Sequence, residues 1–212
     1  MEAKYNEKQI SIINAAEELF AEAGFDGASV RDIAGKANVN VAMISYYFGS
    51  KEKLLQAIFE YRIGATTLQL EHLIARQDID LLKKLDIMID HYVEKHYHNR
   101  CFFKVMQAAH VGGHLSPELD EIVFQSKLKN YQLFGELIGE GQKQNLFRKN
   151  IDVSLLVSTL VGSTNQIMQT QNNYRRYHGM VEMENERFAL LLKRRTKIFL
   201  RNAFKAILTY GV

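Results

Sequence analysis

The apolar residues of this chain recur at helical spacing, and the first such stretch lies near the N-terminus. Asn6, with Gln9 three residues later, has the pattern of a capping box, and apolar side chains then return every three or four positions. These apolar positions are Ile12, Ile13, Ala16, Leu19, Phe20 and Ala23. The pattern predicts a first helix that ends at Gly24. A second capping box, Ser29 with Asp32, predicts a short second helix after a turn.

A third helix is predicted from Val41 to about Phe48, since Asn38 suits the end of the preceding helix and Asn40 suits the cap of this one. Ile44 and Phe48, four residues apart, give it an inward face. Its outer face carries small or amphipathic side chains, namely Val41, Ala42, Ser45 and Tyr46. A helix this short is not stable by itself, so the inward face must pack on the first two helices, and the outer face is left for a partner.

Longer periodic stretches fill the rest of the chain. They cover approximately residues 51–75, 80–98, 102–111, 117–143, 152–174 and 184–208. A single proline, Pro117, in 212 residues suits long uninterrupted helices. We therefore predict an all-α fold, with a three-helix helix-turn-helix domain over residues 1–50 and a larger helical domain over residues 51–212. The helix over residues 51–75 links the two domains.

The composition narrows the possible environments of the protein. Hydrophobic residues make up 47% of the chain, the mean hydropathy is -0.20, and no apolar run approaches the length of a membrane span. The N-terminus has no apolar signal segment, and one cysteine, Cys101, cannot form an internal disulfide. We expect a cytoplasmic protein without a membrane partner.

The net charge of +3 is unevenly distributed along the chain. Residues 1–54 hold six Lys and Arg against eight Asp and Glu, whereas residues 175–212 hold nine against three. DNA binding by the first helices therefore depends on where a few side chains point and not on bulk charge. For the basic C-terminal segment we expect a solvated helix face, and the alternative is a helix that lies on a membrane surface.

Three segments of the first 54 residues carry a family resemblance. They read Ile12-Ile13-x-Ala15-Ala16-x-x-Leu19-Phe20-x-x-x-Gly24-Phe25, then Ser29-Val30-Arg31-Asp32-Ile33-Ala34, then Ile44-Ser45-Tyr46-Tyr47-Phe48-Gly49-Ser50-Lys51-Glu52-x-Leu54. Together they resemble the DNA-binding domain of the TetR family of transcriptional regulators. The resemblance implies that a fourth helix connects the helix-turn-helix to an effector-binding and dimerising domain, and that a ligand releases the DNA. Gly35 and Asn38 depart from the family pattern, and Gly35 should cost about 1 kcal/mol of local helix stability relative to Ala.

The third helix is the predicted reading element. A B-DNA major groove admits an α-helix, and the methyl groups of Val41 or Ala42 can meet a thymine methyl. Tyr47 and Lys51 are predicted to reach phosphates, as are the backbone N–H groups of the helix N-termini. The predicted DNA-contacting residues are Ser29, Asn40, Val41, Ala42, Ser45, Tyr46, Tyr47 and Lys51. An alternative for Tyr46 is packing on the first helix.

The last two predicted helices carry more apolar surface than one partner face needs. We predict a two-fold homodimer in which they form a four-helix bundle and the paired reading helices bind a palindromic DNA operator. The predicted interface residues are Leu155, Leu156, Leu160, Gly162, Ser163, Leu191, Ile198 and Phe199. The alternative is that these residues form only the core of the monomer.

The larger domain is predicted to bind an unknown small-molecule effector in an apolar pocket with a few polar anchors. The residues proposed to line it are Phe103, Met106, His110, Tyr131, Phe134, Asn165 and Met168. The series His91, Glu94, His98 and Cys101 would extend over about 15 Å of helix, too far for one metal ion, so no metal is predicted.

The sequence therefore predicts a transcriptional regulator, most simply a repressor released from its operator by a ligand. No catalytic motif, and no phosphate-binding loop that would indicate a cofactor, is present in the sequence. We therefore expect neither enzymatic activity nor a cofactor. Two alternatives remain: a helical adaptor whose first helices contact protein, and a helical enzyme.

Overall fold

The computed structural model describes residues 4–113 and 116–210, with the side chains of residues 64–68 outside the description. Its regular structure over these residues is α-helical throughout, which confirms the all-α prediction. The helices are α1 (Glu7–Gly27), α2 (Val30–Lys36), α3 (Val41–Phe48), α4 (Lys51–Ala75), α5 (Leu81–His98), α6 (Arg100–Val111), α7 (Pro117–Lys143), α8 (Val153–Gln169), α9 (Gln171–Tyr177) and α10 (Asn185–Thr209).

The predicted caps set the bounds of the first three helices. The side chain of Asn6 accepts a hydrogen bond from the backbone N–H of Gln9, and Ser29 does the same for Asp32, with the reciprocal bonds of a capping box at both places. Asn38 has a φ of 54°, the left-handed conformation predicted for it. The side chain of Asn40 caps α3 by accepting from the backbone N–H of Ala42. Local side-chain chemistry therefore places α2 and α3 where the sequence predicted them.

Two helix bounds differ from the prediction. Gly24 has a φ of 78° and kinks α1, but one more helical turn follows, and α1 extends to Gly27. The helix predicted over residues 152–174 is two helices, because Thr170, at φ -101° and ψ 19°, leaves the helical conformation between α8 and α9. The residues around this break are polar Gln, Thr and Asn, so little apolar periodicity holds the backbone in one continuous helix.

The chain divides into two compact units. Unit 1 consists of the residues up to Thr67 together with Asn99–Lys127, and unit 2 consists of Leu68–His98 together with the residues from Leu128 onward. The division differs from the predicted boundary at residue 50, because α4 and α7 each contribute to both units and α6 packs on α1 within unit 1. The two-domain assignment by function stays a prediction.

Unit 1 has an apolar core built from α1, α2, α3, the first part of α4, α6 and the beginning of α7. Phe59 and Phe102 meet edge to face within it, with ring centroids 5.3 Å apart. The same unit buries one charged pair. The Nε of Arg62 donates to the carboxylate of Glu17 over 2.6 Å, and Glu17 is only 4% exposed.

Unit 2 contains an ion-pair network between α5 and α10. Lys193 and Lys197 both donate to the carboxylate of Glu94, over 3.0 and 2.5 Å, and Arg201 donates to Asp90. Partial burial alone would raise the pKa of Glu94, but the hydrogen bonds from Lys197 and Lys193 lower it below its usual value. Lys193, Lys197 and Arg201 therefore do not belong to the solvated helix face that the sequence predicts for the C-terminal segment. Their side chains are bonded to acidic residues of α5.

None of the helices, over the residues that the structure describes, is long and apolar enough to cross a membrane.

Candidate nucleic-acid interface

The third helix has one buried side and one open side. Ile44 is 1% exposed in the core of unit 1, and Phe48 and Val39 pack partly buried against the same core. The four residues of the outer face of α3, Val41, Ala42, Ser45 and Tyr46, are all exposed. Among the described residues, no part of the chain covers this face. An α-helix with its outer face free is the shape that the major groove accepts.

Tyr46 and Tyr47 have different environments. Tyr46 is 82% exposed, so it does not pack on the first helix, which was the alternative role for this residue. Tyr47 is partly buried against the core of unit 1, and its ring centroid lies 5.2 Å from that of Tyr46 in an edge arrangement. Tyr46 is thus placed for contact with a partner, and Tyr47 supports it from the side.

The beginnings of α2 and α3 supply backbone donors near the same surface. The first-turn N–H groups of a helix have no partner inside the helix and carry the positive end of its dipole. The Ser29 hydroxyl is itself engaged, because it donates to Asp32 over 2.6 Å, and this bond holds the pKa of Asp32 below its usual value. Arg31, which is not among the predicted DNA-contacting residues, is exposed in the first turn of α2. The sequence feature that could have identified Arg31 is its positive charge two residues after Ser29, the predicted N-cap of α2.

The ammonium group of Lys51 is bonded within the protein and does not extend freely into solvent. Lys51 is the first residue of α4, and its Nζ donates to the backbone carbonyl oxygens of Phe25, over 2.9 Å, and Ala28, over 3.3 Å. The same ammonium lies 4.4 Å from the centroid of the Phe25 ring. The role predicted for Lys51 at a phosphate stays a prediction.

The residues predicted for the effector pocket fall into two groups, one in each unit. Phe103 and Met106 pack in the core of unit 1, and His110 is exposed. The other four, which lie in unit 2, are Tyr131, Phe134, Asn165 and Met168. The pocket assignment as a whole therefore stays a prediction.

Asn165 contributes to a partly buried polar pair in unit 2. Its side-chain oxygen meets Nε2 of His96, which is 5% exposed. Burial lowers the pKa of His96, so the neutral imidazole is favoured at pH 7. A neutral histidine beside an amide is a polar pair that could serve as an anchor for a ligand within unit 2.

A cavity of about 1020 Å³ opens in unit 2 beside the connection from α4 to α5 and the last turns of α7. Gly135 and Gly139, one turn apart on α7, leave the helix backbone bare along one wall. Lys84 also lines it, and this 5% exposed side chain donates to the carbonyl oxygen of Ile74 over 2.7 Å. None of the seven predicted pocket residues lines this cavity.

The predicted dimer residues divide by burial. Leu155 and Phe199 are 65% and 67% exposed, and Ile198 is 45% exposed. Leu156 and Leu160 are buried in the core of unit 2. Because these two leucines have almost no surface left to bury, they support α8 from inside and are removed from the predicted interface. Gly162 is exposed, and Ser163 and Leu191 are partly buried.

No group of three or more His, Cys, Asp or Glu side chains that could hold a metal ion occurs in residues 4–113 and 116–210, apart from the side chains of 64–68, which lie outside the description. Cys101 is a free thiol, and burial, followed by the nearby Glu17, raises its pKa. The thiolate form is thus disfavoured.

The geometry of unit 1, with α1, α2 and α3 in succession and the outer face of α3 exposed, is that of a helix-turn-helix. Comparison of sequences agrees, because residues 12–58 match the family described as bacterial regulatory proteins, tetR family. Residues 12–58 are therefore similar to the DNA-binding domain of that family.

Curated relatives extend the likeness beyond the first domain. The probable HTH-type transcriptional regulator YttP of Bacillus subtilis (strain 168) is 32% identical over 135 residues, which are 63% of this chain and 64% of that protein. This chain therefore matches less than two thirds of the length of YttP. The fatty acid metabolism regulator protein of the same strain is 25% identical over 192 residues, or 87% of this chain and 94% of that protein.

Solved structures show the same fold at lower identity. The fatty acid degradation regulator FadR from Bacillus halodurans has a TM-score of 0.70 at 21% identity, over 94% of this chain and 97% of that one. FadR from Bacillus subtilis, in complex with stearoyl-CoA, has a TM-score of 0.67 at 20% identity, over 96% and 98% of the two chains.

Proposed function

We propose that this protein is a homodimeric repressor, located in the cytoplasm, that binds a palindromic operator and is released from it by a small-molecule effector. The observation that carries the proposal is the outer face of α3, which offers two aliphatic side chains, a hydroxyl and a phenol on a helix otherwise anchored by Ile44. Small and amphipathic groups allow close approach to base edges. The match of residues 12–58 to the bacterial regulatory proteins of the tetR family supports the same function.

The test starts from DNA that the protein itself selects out of a random-sequence duplex library. The proposal expects the selected sequences to be palindromic, and expects the logarithm of the binding constant to fall linearly with the logarithm of the salt concentration. The sequence of each half-site should read the same on opposite strands, since two copies of α3 contact equivalent bases. A protein-binding adaptor would select no sequence and would show little response to salt.

The exposed apolar residues of α8 and α10 support a dimer. Leu155 lies on α8, and Leu190, Ile198 and Phe199 lie on α10, which contacts α8 within unit 2. Large apolar side chains that stay exposed in one copy mark surfaces that bury against another protein. In a two-fold dimer, one such surface meets its own copy.

Phe199→Glu should convert the dimer into monomers. A carboxylate placed in the centre of an apolar interface loses its hydration without gaining a partner. We expect the variant to sediment as a monomer at micromolar concentration and to bind the selected duplex at least about tenfold more weakly, because one half-site is then held without the other. Tyr177→Glu is the matched control, since Tyr177 is 87% exposed on α9. A dimeric Phe199→Glu protein would contradict this interface.

The effector is proposed to be a small molecule that binds in the larger helical part of the chain. Two relatives give a first compound to test, since one curated relative is a fatty acid metabolism regulator and one structural neighbour is in complex with stearoyl-CoA. Stearoyl-CoA added to the complex with the selected duplex should release the DNA in a saturable manner. If free coenzyme A releases it equally well, the acyl chain is not what the protein recognises.

A further inference from the structure

Lys51 is tied to the turn between α1 and α2. Two of the three N–H donors of its ammonium are used on the backbone carbonyl oxygens of Phe25 and Ala28. The Phe25 ring, 4.4 Å from Nζ, supplies a third attraction through its negative face. All three contacts link the beginning of α4 to a segment more than 20 positions earlier in the chain.

The turn that Lys51 holds is the segment that leads into α2. Ala28 is 2% exposed and immediately precedes Ser29, the N-cap of α2. The Phe25 ring also packs against the ring of Phe20, with centroids 5.3 Å apart. The position of the α2 N-terminus thus depends on a turn that is held by the core at Phe20 and by Lys51 at two carbonyl groups.

We propose that Lys51 serves DNA binding as a positioning residue that fixes the α1–α2 turn, and with it the N-terminus of α2, instead of contacting a phosphate itself. The proposal rests on the DNA-binding function proposed above. A phosphate that bound this ammonium directly would have to share it with the two carbonyl oxygens and the Phe25 ring. While it stays, the first-turn N–H groups of α2 remain in place to receive the phosphate.

Lys51→Met in the full-length protein tests this role, and Lys53→Met is its matched control. Both changes remove one positive charge from the first turn of α4, but Lys53 is exposed, and its Nζ donates to the side-chain oxygen of Gln56 over 3.2 Å. The first measurement is amide hydrogen exchange over residues 25–32 in the protein without DNA. The second is the affinity for the selected duplex as a function of potassium chloride concentration.

For Lys51→Met we expect amide exchange in the turn to accelerate about tenfold and the affinity to fall about five- to tenfold, as for the loss of one or two hydrogen bonds to a charged group. The salt slope should stay that of the unaltered protein. Lys53→Met should leave exchange in the turn unchanged.

Two results would overturn the proposal. A salt slope flattened by about 0.9 for each lost phosphate contact, with unchanged exchange in the turn, would show that Lys51 binds phosphate directly. Faster exchange with unchanged affinity would show that the turn is held but does not matter for DNA. The exchange data are obtained without DNA, so they judge the contact separately even if the unaltered protein selects no duplex and the repressor function fails.

Discussion

Ala42→Glu should weaken binding to the selected duplex at least about hundredfold, because it places a carboxylate on the outer face of α3, opposite base edges and phosphates. Like charges brought together at an interface cost several kcal/mol. The fold should survive, since Ala42 is exposed in the first turn of α3, where a negative charge is favoured by the helix dipole. Fluorescence anisotropy with the labelled duplex measures the loss, and circular dichroism checks the helix content.

Ala108→Glu is the matched control for this change. Ala108 is also an exposed alanine, but it lies on α6 within unit 1 and not on the outer face of α3. It adds the same charge to the same unit, so it should reduce affinity less than about threefold through the general field alone. Equal losses in the two variants would mean that α3 has no special place in the complex.

Arg62→Met should lower the free energy of unfolding by about 3 kcal/mol, because it leaves the Glu17 carboxylate buried without its partner. Glu17 is 4% exposed, and its described partner is the Arg62 guanidinium, which also donates to Asn14 over 2.9 Å. Urea denaturation at a fixed protein concentration gives the difference, with the concentration held constant because a dimer is proposed.

Two further variants distinguish the effect of breaking the buried Arg62–Glu17 pair from the effect of removing one positive charge. Arg76→Met breaks the pair between Arg76 and Asp78, whose side chains are 56% and 66% exposed, and should leave stability almost unchanged because water screens this pair. Adding Glu17→Gln to Arg62→Met removes the orphaned charge and should recover most of the loss. If the double variant were no more stable than Arg62→Met, packing by the arginine stem would be the larger cause.

The sequence predicted the first three helices well because their boundaries depend on contacts between residues close together in the chain. The capping boxes join residues three apart, and the cap of α3 joins Asn40 to the backbone of Ala42. The inward position of Ile44 follows from the spacing of apolar residues alone. The break at Thr170 was missed because it is marked by neither Gly nor Pro, only by a polar run in which the helix is weakly held.

Contacts between distant residues could not be predicted in the same way. A lysine at the start of a helix reads equally well as a phosphate ligand or as an internal contact, and only the fold brings Lys51 to Phe25. The ion pairs of Lys197 with Glu94 cross about a hundred positions of sequence. The effector residues were chosen by their chemistry alone, so the choice combined side chains from both units, whose placement is decided by tertiary packing.

A crystal structure of the full-length protein bound to the duplex that it selects tests the central claim most directly. We predict that Val41, Ala42, Ser45 and Tyr46 lie within about 4 Å of base edges in the major groove of each half-site. A complex in which these four side chains face solvent or another protein chain, while the DNA is bound elsewhere, would contradict it.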